Sequence, residues 1–171
     1  NGELTPVIVG SATKTIGVRT LMNMLIDYLP APDELSPLVG KDAKTGEEIT
    51  RLTHDDEPFS AYVFKTTVDP FLGAINIMKI NSGTLSNGQE VVITNKGESK
   101  KLTNLFSVRG KSQLACDLYH AGDMAAVAKI DGIETGDTLA DSKSQIVYKP
   151  VAISTPVIYI AVHPKNKNDE D

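Results

Sequence analysis

The most restrictive feature of this sequence is a series of short apolar runs, separated by turn residues, that begins at Pro58. Glycine, asparagine or aspartate interrupts the runs every ~8–12 positions, a spacing typical of small all-β domains. The runs are FSAYVFKTTV, AINIMKIN, QEVVIT, KKLTNLFSV, LACDLY and MAAVAKI. A closed barrel is attractive because it leaves no unpaired strand edge. The pattern therefore predicts a mainly β fold with a small barrel, or with a sandwich as the alternative.

Four turns in this region carry specific predictions. Asn87-Gly88 predicts a hairpin, because both residue types tolerate positive φ. Asp69 precedes a proline and begins a turn, and Gly73 at its end permits an unusual backbone angle. Asp123 and Asp137 each follow a glycine. We expect these two carboxylates to accept hydrogen bonds from their own turns and not to form a catalytic pair.

The first 30 residues follow a different pattern. The run PVIV at 6–9 predicts a strand, GSA a turn, and the residues after it an amphipathic helix that ends at Pro30. One strand and one helix cannot bury both faces of that strand. The apolar run PVIYIAV at 156–162 predicts a second strand without an obvious partner. We therefore expect both ends to complete sheets of a larger protein.

Residues 31–57 separate the helix from the β-rich region and show no periodicity. From Pro32 to Glu57 there are eight acidic residues and three basic ones. This composition predicts an acidic, solvated linker with one short hairpin at KTGEEI.

Composition and cysteine content restrict the class of protein. A formal net charge of −5 argues against a general nucleic-acid-binding protein. The single cysteine, Cys116, excludes an internal disulfide and is expected to be a small buried residue. His54, His120 and His163 lack metal-ligand spacing, so no metal site is expected. No apolar run approaches the ~18 residues of a membrane span, and the first residues lack the pattern of a signal peptide. We expect a soluble, cytoplasmic protein.

One basic stretch is a candidate RNA-binding surface. Its cations are opposed only by Glu98, and they are Lys96, Lys100, Lys101, Arg109 and Lys111. Cations at the loops of a barrel can contact RNA phosphates through shape and backbone recognition. An equally weighted alternative is a solubilising face that protects strand edges from aggregation. We expect Phe106 and Tyr119 to face the core and not to stack on bases.

Four stretches, in this order, resemble consecutive parts of elongation factor G, the ribosomal translocation GTPase. They are GSATKTIGVRTLMNMLIDYLPAP, HDDEPFSAYVFKTTVDPFLGAINIMKINSGTLSNGQEV, HAGDMAAVAKIDGIETGDTLAD and PVIYIAVHPKNKNDED. The resemblance implies a mainly β fragment. Residues 1–30 would be the last strand and helix of a P-loop GTPase domain, 31–57 a linker, 58–148 the six-stranded barrel of domain II, and 149–171 a linker and the first strand of domain III. The stretch FSVRGK departs from the common elongation factor G pattern and is more similar to that of elongation factor G-like paralogues.

The resemblance also implies a guanine-recognition element at Gly10, Ser11 and Ala12 in the intact protein, where the Ala12 N–H could donate to the guanine O6. GTP hydrolysis needs a G-x-x-x-x-G-K-[ST] phosphate loop, and none of the 171 residues form one. NKGE at Asn95 and NKND at Asn166 resemble guanine motifs in letters only. We therefore expect no catalysis and no cofactor in this fragment, with GTP, GDP and Mg²⁺ bound by the full-length parent.

The implied parent would promote GTP-dependent translocation of tRNA and mRNA. Its barrel would bind small-subunit ribosomal RNA, pack on the missing GTPase part and relay the nucleotide state to the other domains, with domains III–V as further partners. No membrane partner is expected. Two alternatives stay open. The first is a ribosomal protection or peptide-release GTPase with the same barrel. The second is an independent, non-GTPase β-barrel binding module, which predicts that the first 30 residues pack on the barrel and leave no exposed apolar helix face.

Overall fold

The computed structural model describes residues 5–110, 112–152, 157–161 and 163. Within these ranges the chain forms helix α1 (Val18–Tyr28), a short 3₁₀ turn (Pro32–Glu34) and a series of antiparallel strands. The strands are β1 (Leu38–Asp42), β2 (Glu48–Arg51), β3 (Ser60–Asp69), β4 (Gly73–Ser82), β5 (Leu85–Ser86), β6 (Glu90–Ile93), β7 (Glu98–Lys101), β8 (Phe106–Arg109), β9 (Ser112–Ala115), β10 (Leu118–Tyr119), β11 (Met124–Ala128), β12 (Thr138–Ala140) and β13 (Ile146–Tyr148). No helix in these ranges has the length and hydropathy that a membrane crossing requires.

The main sheet is the framework of the barrel, with strand order β7-β6-β12-β3-β4-β11-β8-β9. Counted by hydrogen bonding it has eight strands, whereas the resemblance implies six. Leu102 follows β7 at one end of this order and Leu105 precedes β8 near the other end. Both residues are buried in the same hydrophobic cluster, so the sheet curls until its two ends share one core. The predicted mainly β fold is confirmed.

Alternation along the strands divides the apolar residues between two faces. Inward-facing residues build the main core: Phe59, Ala61, Val63, Met78, Ile80, Leu85, Val91, Ile93, Leu102, Leu105, Tyr119, Ala125, Val127, Ile133 and Leu139. A second, smaller cluster contains Ile75, Phe106, Ala126 and Ala128. Because Ala126 alternates with Ala125 and Val127 on β11, this cluster lies on the other face of the sheet. Both faces of β11 are therefore covered.

The acidic segment contains more regular structure than its composition predicts. The expected hairpin is present as β1 and β2, but β1 also pairs with β13, with Gly40 opposite Tyr148. Apolar residues of this three-stranded sheet pack against Ala140 and Tyr62 of the main sheet in a third cluster, to which they contribute Leu38, Ile49, Ile146 and Tyr148. Residues 38–51 therefore belong to a small sheet and are more than a linker, although most of them are exposed to solvent. Strand β13, which pairs with β1, lies about a hundred residues later in the chain, so no local pattern could indicate this pairing.

The terminal strands predicted from the sequence are not formed in the described ranges. Helix α1 agrees with the prediction, whereas residues 6–9 and 157–161 adopt no strand. Val7 and Val9 are 86% and 92% exposed, and the only pairing nearby is an isolated bridge between Ser11 and Ile16. A strand requires a neighbour to satisfy its backbone groups, and no described strand lies beside either run.

The predicted turns have mixed outcomes. Asp69 Oδ1 accepts hydrogen bonds from the backbone N–H of Phe71 (2.9 Å) and Leu72 (3.0 Å), and Gly73 has φ +70°, as expected for the β3–β4 turn. The prediction of a hairpin at Asn87-Gly88 is wrong. Gly88 does have positive φ, but β5 pairs with β10 and β6 with β7 and β12, so this turn joins strands that do not pair.

The contact between β1 and β13 makes Gly40 sensitive to substitution. A Cβ at Gly40 would lie 2.7 Å from Ile146 Cδ1 and 2.9 Å from the Val147 carbonyl oxygen. We predict that Gly40→Ala lowers the free energy of unfolding by about 1–3 kcal/mol, because the buried strands must move apart. Urea denaturation measures the change. Val39→Ala is the control, since Val39 is 53% exposed and its loss should cost about 0.5 kcal/mol or less. Equal effects at both positions would contradict a buried junction.

Candidate nucleic-acid interface and guanine element

Lys96 is engaged within the protein and is not a free surface cation. Its Nζ lies 2.9 Å from Glu134 Oε2, 3.0 Å from Asp137 Oδ2 and 2.9 Å from the Gly132 carbonyl oxygen. Desolvation opposes the charge, but the hydrogen bonds to the two carboxylates outweigh it and raise the pKa of the Lys96 ammonium. The ammonium therefore ties the β6–β7 turn to the loop between β11 and β12.

The partner that organises this contact is Asp137, whose carboxylate is buried. The expected turn hydrogen bond is confirmed, because Glu134 N–H donates to Asp137 Oδ2 at 2.8 Å. Asp137 Oδ1 in addition accepts the Asn95 side-chain amide at 2.7 Å, and Asn95 Oδ1 accepts the Thr138 N–H at 3.2 Å. The Asn-Lys pair of NKGE thus binds an internal carboxylate. The local sequence indicates both turns, but their contact spans about 40 residues and has no local signal.

The other predicted cations are divided between two hairpins. Lys100 and Lys101 lie on β7 and Arg109 ends β8, and these hairpins occupy opposite ends of the sheet order. Lys100 Nζ is 3.0 Å from Glu98 Oε2 in an ion pair that is partly open to solvent. Such a pair contributes little to stability and leaves Lys100 available to another anion. Lys101 and Arg109 are exposed. Lys111 lies outside the described residues.

The aromatic residues of this region do not offer stacking surfaces. Phe106 and Tyr119 are 7% and 3% exposed, which confirms that both are buried, Tyr119 in the main core and Phe106 in the smaller cluster on the other face of the sheet. The Tyr119 hydroxyl is 3.0 Å from Ser107 Oγ, and burial raises the pKa of the Tyr119 phenol. Cys116 is half-buried and not fully buried as expected, and its thiol donates to the Leu118 carbonyl oxygen at 3.1 Å. Neither aromatic ring is therefore available to stack on a base.

The predicted guanine element forms a tight exposed loop before α1. Ser11 and Ile16 exchange two backbone hydrogen bonds, of 2.9 and 3.0 Å, and Ala12 is exposed. A Cβ at Gly10 would lie 2.7 Å from the Ile16 carbonyl oxygen. A Cβ at Gly17, whose φ is +77°, would lie 2.8 Å from the Val9 carbonyl oxygen. The structure therefore gives Gly10 a packing reason, namely the close approach of the two sides of this loop.

Helix α1 presents an apolar surface that no described element covers. None of its residues is buried, although its apolar positions follow helical spacing. Its exposed apolar residues, with Leu29 just beyond it, are Val18, Leu21, Met22, Leu25, Ile26, Tyr28 and Leu29. The prediction made by an independent closed module, a helix packed on the barrel, is not fulfilled. Among the described residues no group of three histidine, cysteine or acidic side chains is arranged to hold a metal ion.

Comparison with known proteins agrees with this architecture. Residues 58–142 match the family described as elongation factor G domain 2, a range that begins just before β3 and ends just after β12. The whole chain is similar to a crystal structure of a protein from Thermus thermophilus, with a TM-score of 0.68 and 27% identity. The two matches support a translation-factor family for this chain.

The second match covers nearly all of this chain but a small part of the other protein. The alignment covers 96% of this chain but 22% of the Thermus thermophilus protein. The chain thus spans about a fifth of the length of that relative. The comparison therefore extends to this part of that protein alone.

The Asp137 contacts lead to a stability prediction. We expect Asp137→Ala to lower the free energy of unfolding by about 2–4 kcal/mol, because it leaves the Asn95 amide, the Glu134 N–H and Lys96 without their buried acceptor. Chemical denaturation measures this. Glu134→Ala is the matched control, since Glu134 contacts the same ammonium but its side chain is 75% exposed. That control should cost about 0.5 kcal/mol or less, and a similar loss in both variants would contradict the assignment.

Proposed function

We propose that this chain is a fragment of a ribosome-associated translational GTPase that promotes GTP-dependent translocation of tRNA and mRNA. The observation that carries the proposal is the match of the barrel, over residues 58–142, to elongation factor G domain 2. The barrel would bind the ribosome and relay the nucleotide state of the GTPase domain to the remaining domains. It would act through binding and positioning and not through catalysis.

The nucleotide would be bound by the full-length parent and not by this fragment. In that parent Gly10, Ser11 and Ala12 would contact guanine, with the exposed Ala12 as the backbone donor. The phosphates and Mg²⁺ would be held by a phosphate loop, which is absent from the 171-residue sequence. The fragment would therefore have no GTPase activity and hold no cofactor.

The ribosomal partner of the barrel would be small-subunit RNA. Lys100, Lys101 and Arg109 are placed on hairpins from which they can reach phosphates, whereas Lys96 is engaged by Asp137. Three candidate cations on a chain with a net charge of −5 suit a weak contact that the remaining domains strengthen.

Two other functions compete with this one. A ribosomal protection or peptide-release GTPase would share the barrel, and the parts of the parent beyond this fragment would distinguish it. An independent binding module is disfavoured by α1, because seven apolar residues along the helix and at its end are exposed. Such a surface suits a helix that packs on a neighbouring domain.

The RNA contact is tested by binding of the chain to isolated small ribosomal subunits across a salt series. We expect Lys100→Ala combined with Lys101→Ala to weaken binding and to reduce the slope of log K against log salt by about 1–2, since each phosphate contact releases about one counterion. Lys41→Ala combined with Lys44→Ala is the control, because it removes the same charge from the β1–β2 hairpin. Binding that is insensitive to salt, or an equal loss in both double variants, would reject the proposed surface.

The absence of nucleotide binding is tested directly with a fluorescent GDP analogue. We expect no saturable fluorescence change when the 171-residue chain is titrated with it, in the presence or absence of Mg²⁺. A full-length parent should show saturation, because the phosphate loop then contributes the charge-assisted contacts. Saturable binding by the fragment with one site per chain would overturn this part of the proposal.

A further inference from the structure

One turn of the barrel contacts the chain on both sides of the β1–β2 hairpin. This turn, His120–Asp123, joins β10 to β11. We call residues 29–37, between α1 and β1, the entry arm, and residues 52–59, between β2 and β3, the exit arm. The turn itself is fixed, because His120 N–H donates to Asp123 Oδ2 at 2.9 Å and Asp123 N–H donates to the His120 carbonyl oxygen at 3.0 Å.

The entry arm packs on the turn through Pro32. Gly122 has φ +95°, and a Cβ there would lie 2.7 Å from Pro32 Cβ and 2.9 Å from Pro32 Cγ. Only glycine therefore allows the proline ring to approach this backbone. The arm is closed locally, since the Ala31 N–H donates to Glu34 Oε2 at 2.9 Å and the Glu34 N–H to the Ala31 carbonyl oxygen at 3.0 Å. Pro32 comes four residues after the end of α1 at Tyr28, so its position limits where the helix can point.

The exit arm is bound to the same turn through Asp55. Its Oδ1 accepts the Ala121 N–H at 2.9 Å, and its Oδ2 lies 2.6 Å from His120 Nδ1. The Ala121 N–H, followed by the His120 ring, lowers the pKa of the Asp55 carboxyl. The His54 carbonyl oxygen accepts the Gly83 N–H at 2.8 Å, which attaches the arm to the barrel at a second point.

We propose that the turn His120–Asp123 is the docking point that sets the direction of α1 relative to the barrel, with Asp55 and His120 as positioning residues. Asp55 adds contacts from the exit arm to the hydrogen bonds within the turn, and so helps to keep the shape on which Pro32 packs. The inference rests on the proposed function, in which a nucleotide domain that includes α1 must transmit its state to the barrel. A free acidic linker would transmit little, because a flexible chain absorbs the motion of its ends. Two arms fixed on one turn provide a stiff connection.

The test measures the distance between α1 and the barrel in the 171-residue chain by double electron–electron resonance. Spin labels are attached at Asn23→Cys on α1 and Ser99→Cys on β7, in a Cys116→Ser background. We expect a narrow distribution in the reference protein. Asp55→Ala, His120→Ala and Pro32→Gly should broaden it, towards the roughly 15 Å spread of a free arm of nine residues.

Two controls separate positioning from general effects. Asp56→Ala removes the neighbouring carboxylate and should leave the distribution narrow. His120→Asn should also leave it narrow, because the asparagine amide nitrogen takes the place of Nδ1 and can donate to Asp55. Circular dichroism verifies the barrel in each variant, and Pro32→Gly tests the entry arm without removing a hydrogen bond of the turn.

The inference is overturned if the distribution stays narrow in both Asp55→Ala and His120→Ala, if it broadens equally in Asp56→Ala, or if the reference protein is already broad. None of these measurements uses a ribosome or a nucleotide. Failure here would therefore leave the proposed function to its own test with small ribosomal subunits, and failure of that test would leave the docking point intact.

Discussion

The pairing of β3 with β4 is the constraint on which the rest of the barrel depends. The two strands pair over their full ten-residue lengths, and β12 attaches to the outer edge of β3 while β11 attaches to that of β4. The register shifts at Ser60/Ala61 and at Val63/Lys65. Such bulges bend a strand and increase its twist, which lets the sheet curl around the core instead of remaining flat. The strands that follow β3 and β4 on either side of the sheet order have to follow the same curvature.

Buried polar groups then fix how loops and outlying strands meet this framework. Ser60 Oγ lies 2.6 Å from Ser82 Oγ and 2.7 Å from the Tyr148 hydroxyl, so the first residue of β3 contacts both the end of β4 and β13. Burial raises the pKa of the Tyr148 phenol, which favours its neutral form. Asp137 has a comparable role at the β6–β7 turn. A buried polar group that loses its partner is costly, so these contacts define one arrangement of the surrounding loops.

The segments outside the barrel differ in how they are attached. The hairpin at residues 38–51 joins β13 in a small sheet, and both arms beside it contact the barrel. Helix α1 instead leaves its apolar side uncovered. The hairpin is thus attached to the rest of the structure, whereas the helix has an apolar surface that suits a neighbouring domain. That division agrees with the proposal that the barrel belongs to a multidomain translation factor.

The local sequence pattern was sufficient to predict much of the fold. The alternation of apolar and polar residues predicted the β-rich region, helical spacing predicted α1, and Asp69 with Gly73 predicted the β3–β4 turn. Candidate cations were less predictable, since the same basic stretch contains Lys96, which binds Asp137, and Lys101, which is exposed. Charge counting cannot distinguish them, because the carboxylate that engages Lys96 comes from another loop.

The sequence by itself determined the β-rich region, helix α1 and the β3–β4 turn, because these depend on side-chain periodicity and backbone preference within a few residues. Tertiary structure alone decided that the acidic segment pairs with β13, that Asn87-Gly88 joins two strands that do not pair with each other, and that residues 6–9 form no strand. Each of these outcomes depends on whether a hydrogen-bonding partner distant in the chain is present at the right place. The backbone groups of a strand are paired by a neighbouring strand, and no local pattern contains that neighbour.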